Sequence, residues 1–380
     1  MTKSIAIIGA GLAGLTCAKT LLESQENKIT IYDQNPEVGG RVYSSNIEGY
    51  TLDHGFQVYL PGYPIAAKIL NHQKLELKEF TPGANIYKDQ KFFYVGDPIR
   101  EPSSFFSTLM APIGSFKDKI SILKLKIASK PSMKLSTYDY LIELGFSTEI
   151  IENFFRPFFS GVFLERELMT PAHFFHFLFH IFSKSPACLP AKGMHQLPLS
   201  IKEELPSVLF KLNHKVESFN STSVDGEEFD IVVKAYADKS NDFNPVTTDY
   251  FVSNLKLKQP SLYLKGRKSG LINHIAPLSV VAPEYKGSNS EELFSVNLLK
   301  ENYDADVSIV QKELSTWFPG SSFRHLKRYN VTKALPTSPA YGKDQIYKDG
   351  FYHCGDHMED PSINGAIASG IRTAGEILKA

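Results

Sequence analysis

The chain has 380 residues, of which 42% are hydrophobic, and it carries 41 basic and 41 acidic side chains. This balance argues against a nucleic-acid partner, and the length suffices for two or three domains with buried cores. Three scattered cysteines and no Cys-x-x-Cys pair argue against a disulfide framework and favour a reducing compartment. The apolar N-terminal run is shorter than the roughly 20 residues of a membrane span. We therefore expect a soluble, cytoplasmic protein.

A glycine-rich turn lies between an apolar run and a helical pattern near the N-terminus. The four apolar residues before Gly9 are typical of a buried parallel strand. Gly9, Gly11 and Gly14 follow with the spacing G-x-G-x-x-G, which permits a tight turn, close approach of the backbone to a pyrophosphate, and close helix–strand packing. Leu12 and Ala13 begin the helix, whose free N–H groups and positive dipole end favour a phosphate. The turn therefore predicts a dinucleotide site.

An acidic residue follows the next predicted strand. Residues 28–32 read as a strand, and Asp33 comes directly after them. A carboxylate at this place suits hydrogen bonds to both ribose hydroxyls and repels a 2′-phosphate. The order of strand, glycine turn, helix, strand and acid favours a ligand site over a purely structural turn. This motif alone does not separate NAD from FAD.

Two further segments favour a flavin nucleotide. Gly39-Gly40-Arg41 provides a second group of backbone N–H donors and a fixed cation for a pyrophosphate. Asp53-His54-Gly55 ends a strand-to-turn segment that can bring backbone close to a flavin ring.

The end of the sequence repeats this chemistry. Gly355-Asp356 follows a predicted strand, and Ser362-Ile363-Asn364-Gly365-Ala366 opens an amphipathic helix with Ser362 as its N-cap. The N–H groups at this helix start suit the N1–C2=O anion of a reduced flavin. Asp356 can accept a hydrogen bond from a ribityl hydroxyl or a phosphate-bound water. We expect the tail to be the second half of the cofactor site.

These motifs together resemble the flavin-containing amine oxidase superfamily, which includes protoporphyrinogen oxidases and phytoene-desaturase-type enzymes. In such enzymes the glycine turn, the acid after the second strand and the Gly-Gly-Arg loop hold the ADP half of FAD. The tail approaches the ribityl chain, the pyrophosphate and the pyrimidine edge of the flavin. The resemblance implies FAD, and the absence of the family's cysteine motif for covalent flavin implies non-covalent binding. The middle of the chain resembles a bacterial and plant subgroup described only as FAD-dependent oxidoreductases.

We expect an α/β fold with a Rossmann-like FAD-binding domain of the glutathione-reductase type and a mixed α+β substrate-binding domain. The FAD-binding domain is predicted to be discontinuous, over residues 1–80, 187–250 and 328–380. The substrate domain is predicted over residues 81–186 and 251–327.

A valine in the middle of the chain is a further cofactor candidate. The segment Lys215-Val216-Glu217 reads as a strand and resembles the place where a valine backbone contacts adenine in related enzymes. The alternative is that Val216 is a core residue of a structural strand. Both interpretations stay open.

A basic stretch at residues 115–134 carries lysines around apolar residues at helical spacing. A basic amphipathic helix can lie on an anionic membrane, so peripheral membrane contact is one expectation for this stretch. The alternative is a solvated outer face of a domain helix.

The densest aromatic segment spans residues 154–182. Its helix over residues 171–182 is apolar nearly all round, so we expect it to be buried in the substrate domain, where some phenylalanines can line a pocket and most pack in the core. His173, His176 and His180 fall on one helical face. We favour a polar stripe that faces a cleft or another domain, and no metal site.

The leading functional hypothesis is a FAD-dependent oxidoreductase that removes two hydrogens from a C–N or C–C bond of a hydrophobic small molecule, with hydride transfer to flavin N5. An amine oxidase would reoxidise with oxygen, whereas a carotenoid desaturase or isomerase would use a quinone, another acceptor or no net acceptor. A non-catalytic FAD or hydrophobic-ligand carrier is a third alternative. Catalytic residues are unknown. Lys265, Lys268 and Tyr341 are candidates by position only, with surface placement as the alternative.

Overall fold

The computed structural model describes residues 2–24, 26–238, 241–266, 270–337 and 346–380, without the side chain of Leu123. The strands of these ranges are, in chain order, β1 Ser4–Ile8, β2 Lys28–Tyr32, β3 Ser44–Ile47, β4 Tyr50–Asp53, β5 Leu77–Glu79, β6 Gly83–Lys88, β7 Lys91–Gly96, β8 Cys188–Pro190, β9 Leu209–Lys211, β10 Ser223–Val224, β11 Glu227–Glu228, β12 Ile231–Lys234, β13 Phe243–Ser253, β14 Leu262–Lys265, β15 Ile272–Pro277, β16 Glu292–Leu298, β17 Arg324–Pro336, β18 Tyr347–Lys348 and β19 Phe351–His353. The helices are α1 Leu12–Ser24, α2 Ala66–Ile69, α3 His72–Leu75, α4 Phe105–Met110, α5 Phe116–Ile127, α6 Thr137–Glu143, α7 Thr148–Ile150, α8 Arg156–Phe163, α9 Ala172–Lys184, α10 Gln196–Glu203, α11 Leu278–Val281, α12 Val307–Trp317 and α13 Ile363–Ile377.

The first sheet is built around the apolar N-terminal strand. Its order is β18-β19-β12-β1-β2-β9, with parallel pairing throughout except at the edge strand β18. Ile5 and Ile7 belong to the main core, whereas Ala6 and Ile8 belong to a smaller apolar cluster, which explains why β1 is apolar from Ile5 to Ile8. Helices α1 and α13 pack against each other beside this sheet. The predicted Rossmann-like α/β fold is confirmed.

The second sheet is mixed, with the order β17-β13-β16-β15-β14-β6-β7 and one parallel pair, β14 with β6. One of its faces packs on α12 through an apolar cluster that includes Phe251, Ile275 and Trp317. The other face carries Tyr250 and Ala276 and joins the main core. Its long strands β13 and β17 run through positions 250 and 328, where domain boundaries were predicted. No turn interrupts either strand, so each lies entirely within this sheet. The division of the chain into domains stays a prediction.

The Phe-rich helices form an aromatic core. Phe155, Phe159 and Phe175 are buried, and the rings of Phe159 and Phe175 lie 4.6 Å apart between centroids. The predicted helix over 171–182 is α9. The ring Nε2 atoms of His176 and His180 lie 2.9 and 3.0 Å from carbonyl oxygens at the C-terminal end of α5, so these two histidines contact a neighbouring helix and not a cleft. The third, His173, lies with its Nε2 atom 3.7 Å from the Asp360 carboxylate, close to the start of α13.

Candidate cofactor and substrate site

Two glycines of the first motif are fixed by packing. Gly9 ends β1 with a φ of +115°, and its N–H donates to the carbonyl of Tyr32 at 2.8 Å. Gly14 lies in the first turn of α1, where a Cβ atom would overlap the carbonyl oxygen of Gly9. A side chain at Gly14 would therefore force the helix away from the strand, as the motif predicts.

Gly11 has a different reason to be glycine. Its φ lies outside the left-handed region, and a Cβ atom placed on it would meet no atom of the described chain within 4 Å. Helix α1 begins directly after Gly11, which has no side chain to cap it, so the N–H groups of Leu12 and Ala13 have no acceptor within the helix. Open space beside an uncapped positive helix end fits a phosphate group.

Asp33 and the Gly-Gly loop hold this turn in place. The N–H of Ala10 donates to Asp33 Oδ2 at 2.8 Å, and the N–H of Gly39 donates to the carbonyl of Ala10 at 2.8 Å. Asp33 Oδ1 accepts from the N–H of Asn35 at 2.9 Å. A Cβ atom on Gly40 would lie 3.4 Å from the Cα atom of Gly11. The structure thus brings the three N-terminal motifs together, and a ribose would share the Asp33 carboxylate with protein N–H groups.

Arg41 and Asp356 join the two ends of the chain. The Arg41 guanidinium is ion-paired with the Asp356 carboxylate and donates to the carbonyl of Ala334 at 2.9 Å. Asp356 is buried, whereas the Arg41 side chain is 40% exposed. The sequence predicted separate roles for them, as pyrophosphate cation and ribityl acceptor. The structure makes each the partner of the other, so a ligand group at this place would meet a neutralised pair.

Asp53 is a buried carboxylate whose contacts are with protein groups. It accepts from the Ser44 hydroxyl at 2.5 Å, the Met194 N–H at 2.9 Å and the Tyr285 hydroxyl at 2.9 Å. Burial raises the pKa of Asp53 to about 6, against the lowering effect of these donors. The Asp53 side chain therefore holds β4 against Ser44, Met194 and Tyr285. A cofactor contact at this position would have to use the backbone.

His54 and Gly55 follow β4, a strand of the separate two-stranded sheet β3-β4, and contact the second sheet. The His54 ring stacks on Tyr329 of β17 at 4.4 Å between centroids, and its Nε2 atom lies 2.7 Å from the Ser45 hydroxyl. Burial lowers the pKa of His54 below its usual value. A Cβ atom on Gly55 would lie 3.5 Å from the side chain of Val331 in the same strand. This turn therefore packs against β17, the edge strand of the second sheet.

The tail is capped as predicted. The Ser362 hydroxyl accepts from the N–H of Gly365 at 2.9 Å, and α13 begins at the next residue, Ile363. Asn364 Oδ1 accepts from the N–H groups of Ile65 and Ala66 at 3.1 and 3.2 Å, which fixes the start of α2 to the tail. Ile363 and Ala366 pack against the main core.

The remaining sequence candidates lie elsewhere. Residues 214–218 form no strand, contrary to the prediction. Val216 packs against the smaller apolar cluster that includes Ala6 and Ile8 of β1. Its contact with adenine stays a prediction. Lys265 Nζ lies 2.7 Å from Glu313 Oε1 on the α12 side of the second sheet, turned away from the glycine motifs. Lys268 and Tyr341 lie outside the described residues.

Sequence reasoning missed a row of polar side chains on the second sheet. Thr248, Asn297 and His274 are cross-strand neighbours on β13, β16 and β15. The Thr248 hydroxyl donates to Asn297 Oδ1 at 2.7 Å and accepts from the N–H of Phe56 at 3.2 Å. All three side chains are buried. The alternation of serine and asparagine with apolar residues in LFSVNLL was the one available signal.

A sequence model of flavin-containing amine oxidoreductases matches residues 12–259, or 248 of the 380 residues. The chain belongs to this family.

Individual relatives are more distant. Coproporphyrinogen III oxidase of Staphylococcus aureus is 27% identical over 173 residues, which cover 43% of this chain and 37% of that protein. The 4,4′-diapophytoene desaturase of Methylomonas sp. is 46% identical over 54 residues, 14% of this chain and 10% of that protein. The matches thus span well under half the length of these curated relatives.

Two solved structures share the fold over nearly the whole chain. An oxidoreductase from Methanosarcina mazei superposes with a TM-score of 0.75 at 15% identity, covering 99% of this chain and 100% of that one. Putrescine oxidase superposes with a TM-score of 0.69 at 13% identity, covering 100% of both chains.

No helix of the described ranges is long and apolar enough to cross a membrane. No cluster of three His, Cys, Asp or Glu side chains there could hold a metal ion.

Proposed function

We propose that the protein is a FAD-dependent oxidoreductase that removes two hydrogens from a C–N or C–C bond of a hydrophobic small molecule, with non-covalent FAD. When bound, FAD supplies the hydride acceptor at flavin N5. The observation that carries the proposal is the open space at Gly11 beside the uncapped start of α1, since packing gives no reason for a glycine there.

Each part of the dinucleotide has residues that would hold it. The N–H groups of Leu12 and Ala13 would bind the pyrophosphate, and Asp33 would accept from the ribose hydroxyls. The start of α13, capped by Ser362, would present its positive end to the pyrimidine edge of the flavin. The Arg41–Asp356 pair would close the site beside the ribityl chain.

The proposed substrate is hydrophobic because the elements beyond the Asp53-His54-Gly55 turn are rich in apolar side chains. Phe56 follows this turn, and its ring lies 6.3 Å from that of Phe80. Amine oxidation and polyene desaturation or isomerisation both stay open, as do oxygen and quinone as acceptors. A non-catalytic flavin carrier is the alternative of another class, and turnover separates it from the other two.

Anaerobic bleaching of the bound flavin tests the proposal. The flavin-loaded protein is mixed with amines, polyenes and porphyrinogens in turn, and at least one class should remove the flavin absorption band. Peroxide release on readmission of air would then identify an oxidase. A protein that binds FAD but is bleached by no compound of these classes would be a carrier, and one that takes up no FAD would refute the whole proposal.

We further propose peripheral membrane contact through α4, α5 and their flanks, a surface that extends the predicted basic stretch at 115–134. Phe106, Met110 and Ile127 are 75%, 78% and 86% exposed, which is unusual for side chains of this size. Lys117 and Lys124 of α5 are exposed as well. Exposed apolar side chains and exposed lysines on neighbouring helices of the sequence suit an anionic lipid surface.

Two lysines of the predicted basic stretch contact protein groups and are not available to lipid. Lys119 Nζ is turned inward onto the carbonyl of Leu109 at 2.6 Å, and Lys126 is paired with Asp97 at 3.0 Å. These two lysines therefore hold α5 in place, and the other lysines of the stretch carry the proposed lipid contact.

Vesicle flotation tests this second proposal. The protein should float with phosphatidylglycerol vesicles and less with phosphatidylcholine vesicles. The double variant Phe106→Ser, Ile127→Ser should lower partitioning at least about tenfold, because two inserted apolar side chains are lost. Ile309→Ser, a change at a 55% exposed position on α12, is the matched control. Lipid contact would be refuted if all three proteins floated equally, or if the wild-type protein did not float with the vesicles.

A further inference from the structure

The imidazole of His274 lies in the polar row of the second sheet, on the face that meets the Asp53-His54-Gly55 turn. His274 is 5% exposed, and its ring lies 5.0 Å from the ring of Phe56. Across the sheet its neighbour is Asn297, which in turn is bonded to Thr248. Phe56, the residue after the segment predicted to approach the flavin, therefore packs against this histidine.

The hydrogen bonds around His274 determine which ring nitrogen carries the proton. Asn273 Nδ2 lies 3.0 Å from His274 Nδ1 and 3.3 Å from the carbonyl oxygen of Pro157. A carbonyl only accepts, so the Asn273 group facing it is the NH₂, which only donates. His274 Nδ1 must then accept, and the proton of the neutral ring is on Nε2.

This Nε2–H group is buried and has no acceptor within the described part of the chain. Burial lowers the pKa of His274 to about 4, so the ring is neutral at physiological pH. A buried donor without an acceptor loses its hydrogen bonds to water and gains none in return, which makes such groups rare in folded proteins. An acceptor from outside the chain would satisfy it.

A second orphan atom lies on the helix that packs against this strand. Ser160 is 1% exposed, and its hydroxyl also has no partner in the described ranges. A Cβ atom on Gly161 would lie 2.8 Å from His274 Nδ1, so this turn of α8 faces the imidazole. Pro157 and Ser160 are three residues apart and share that face of the helix.

We infer that the Nε2–H of His274 is a substrate-recognition group, which donates a hydrogen bond to an uncharged acceptor on a hydrophobic substrate. The acceptor is a carbonyl oxygen or the nitrogen of a free-base amine. The described groups in contact with the imidazole (Phe56, Asn273 and the Gly161 turn) carry no charge, so a carboxylate would have no counter-ion here. A hydrocarbon polyene has no acceptor and would leave the donor orphaned.

This inference rests on the proposed function and decides between its alternatives. Acetophenone, α-methylbenzylamine and ethylbenzene have nearly the same shape but carry a carbonyl, an amine or no acceptor. Their dissociation constants are measured from changes in the absorption spectrum of the flavin-loaded protein, and by thermal shift of the flavin-free protein. Either acetophenone or the amine at high pH should bind about tenfold more tightly than ethylbenzene.

Two variants test the role of the imidazole. His274→Leu should bring the three affinities together, because it removes the donor. His274→Gln should keep most of the difference, because its amide can place an N–H near the position of Nε2. Retained discrimination in His274→Leu, or none in the wild type, would overturn the inference. A wild type that binds FAD but does not discriminate would refute this inference alone, whereas failure to bind FAD would refute the proposed function.

Discussion

The glycine-rich end of the first sheet and the polar row of the second sheet satisfy their polar groups in opposite ways. At the first, Asp33, Ser362 and Asn364 all bond to backbone N–H groups. The polar groups without an acceptor there, within the described residues, are backbone N–H groups at the start of α1. In the second, the backbone is paired in strands, and side-chain atoms such as His274 Nε2 stay open. The proposed cofactor site is thus built mainly from backbone groups, and the proposed substrate-recognition site from side chains.

Substitutions at Gly14 and Gly11 test the glycine-rich end of the first sheet, and we expect the largest effects there. Gly14→Val places a side chain against the carbonyl of Gly9 and should cost about 3 kcal/mol or more of unfolding free energy. Gly11→Ala enters open space and should change that free energy by less than about 0.5 kcal/mol. It should nevertheless weaken FAD binding at least about tenfold.

Urea unfolding of the flavin-free proteins and FAD titration measure the two effects separately. A Gly11→Ala protein that binds FAD like the wild type would mean that no phosphate approaches this backbone.

The pH dependence of folding stability tests the burial of the neutral His274 imidazole in the polar row. The pKa of His274 is about 4 in the folded protein and 6.5 in an unfolded chain, so the unfolded chain binds more protons between these values. Folding stability from this group is complete above pH 6.5 and is lost as the pH falls towards 4, by about 3 kcal/mol in all. His274→Leu should lack this loss.

The difference in unfolding free energy between the variant and the wild type, measured at pH 7, 5.5 and 4, isolates this contribution. Asp53 acts in the opposite direction, since its raised pKa of about 6 costs stability as the pH rises from 3.8. Asp53 is present in both proteins, so it cancels. A difference that does not change with pH would contradict the buried neutral imidazole.

The Arg41–Asp356 pair should give the smallest effect. Arg41→Met leaves the buried Asp356 carboxylate without its cation and should cost about 1–2 kcal/mol, less than a fully buried pair because the Arg41 side chain is 40% exposed. Asp356→Asn in the same chain should restore part of that loss. Arg324→Met, at a side chain that is 49% exposed and paired with Glu48, is the surface control and should cost under about 0.5 kcal/mol. Equal costs at both arginines would show that the two ends of the chain are not coupled.

The same contrast explains what the sequence could predict. The glycine motif, Asp33 and the Ser362 cap are local patterns, because backbone conformation and helix ends depend on residues close in sequence. The Arg41–Asp356 pair joins residues 315 positions apart, and its two members each looked like ligand groups on their own.

The polar row could not be predicted because it needs the register of three strands. Thr248, Asn297 and His274 become neighbours only through pairing of β13, β16 and β15.

The most direct test of the central claim is the identity of the flavin. The purified protein is incubated with FAD, freed of excess ligand and denatured, and the supernatant is analysed by chromatography and absorbance. We predict that about one FAD per chain is released intact, as expected for a non-covalent cofactor. A protein that retains no FAD, or a flavin that stays attached to the precipitated chain, would contradict the account.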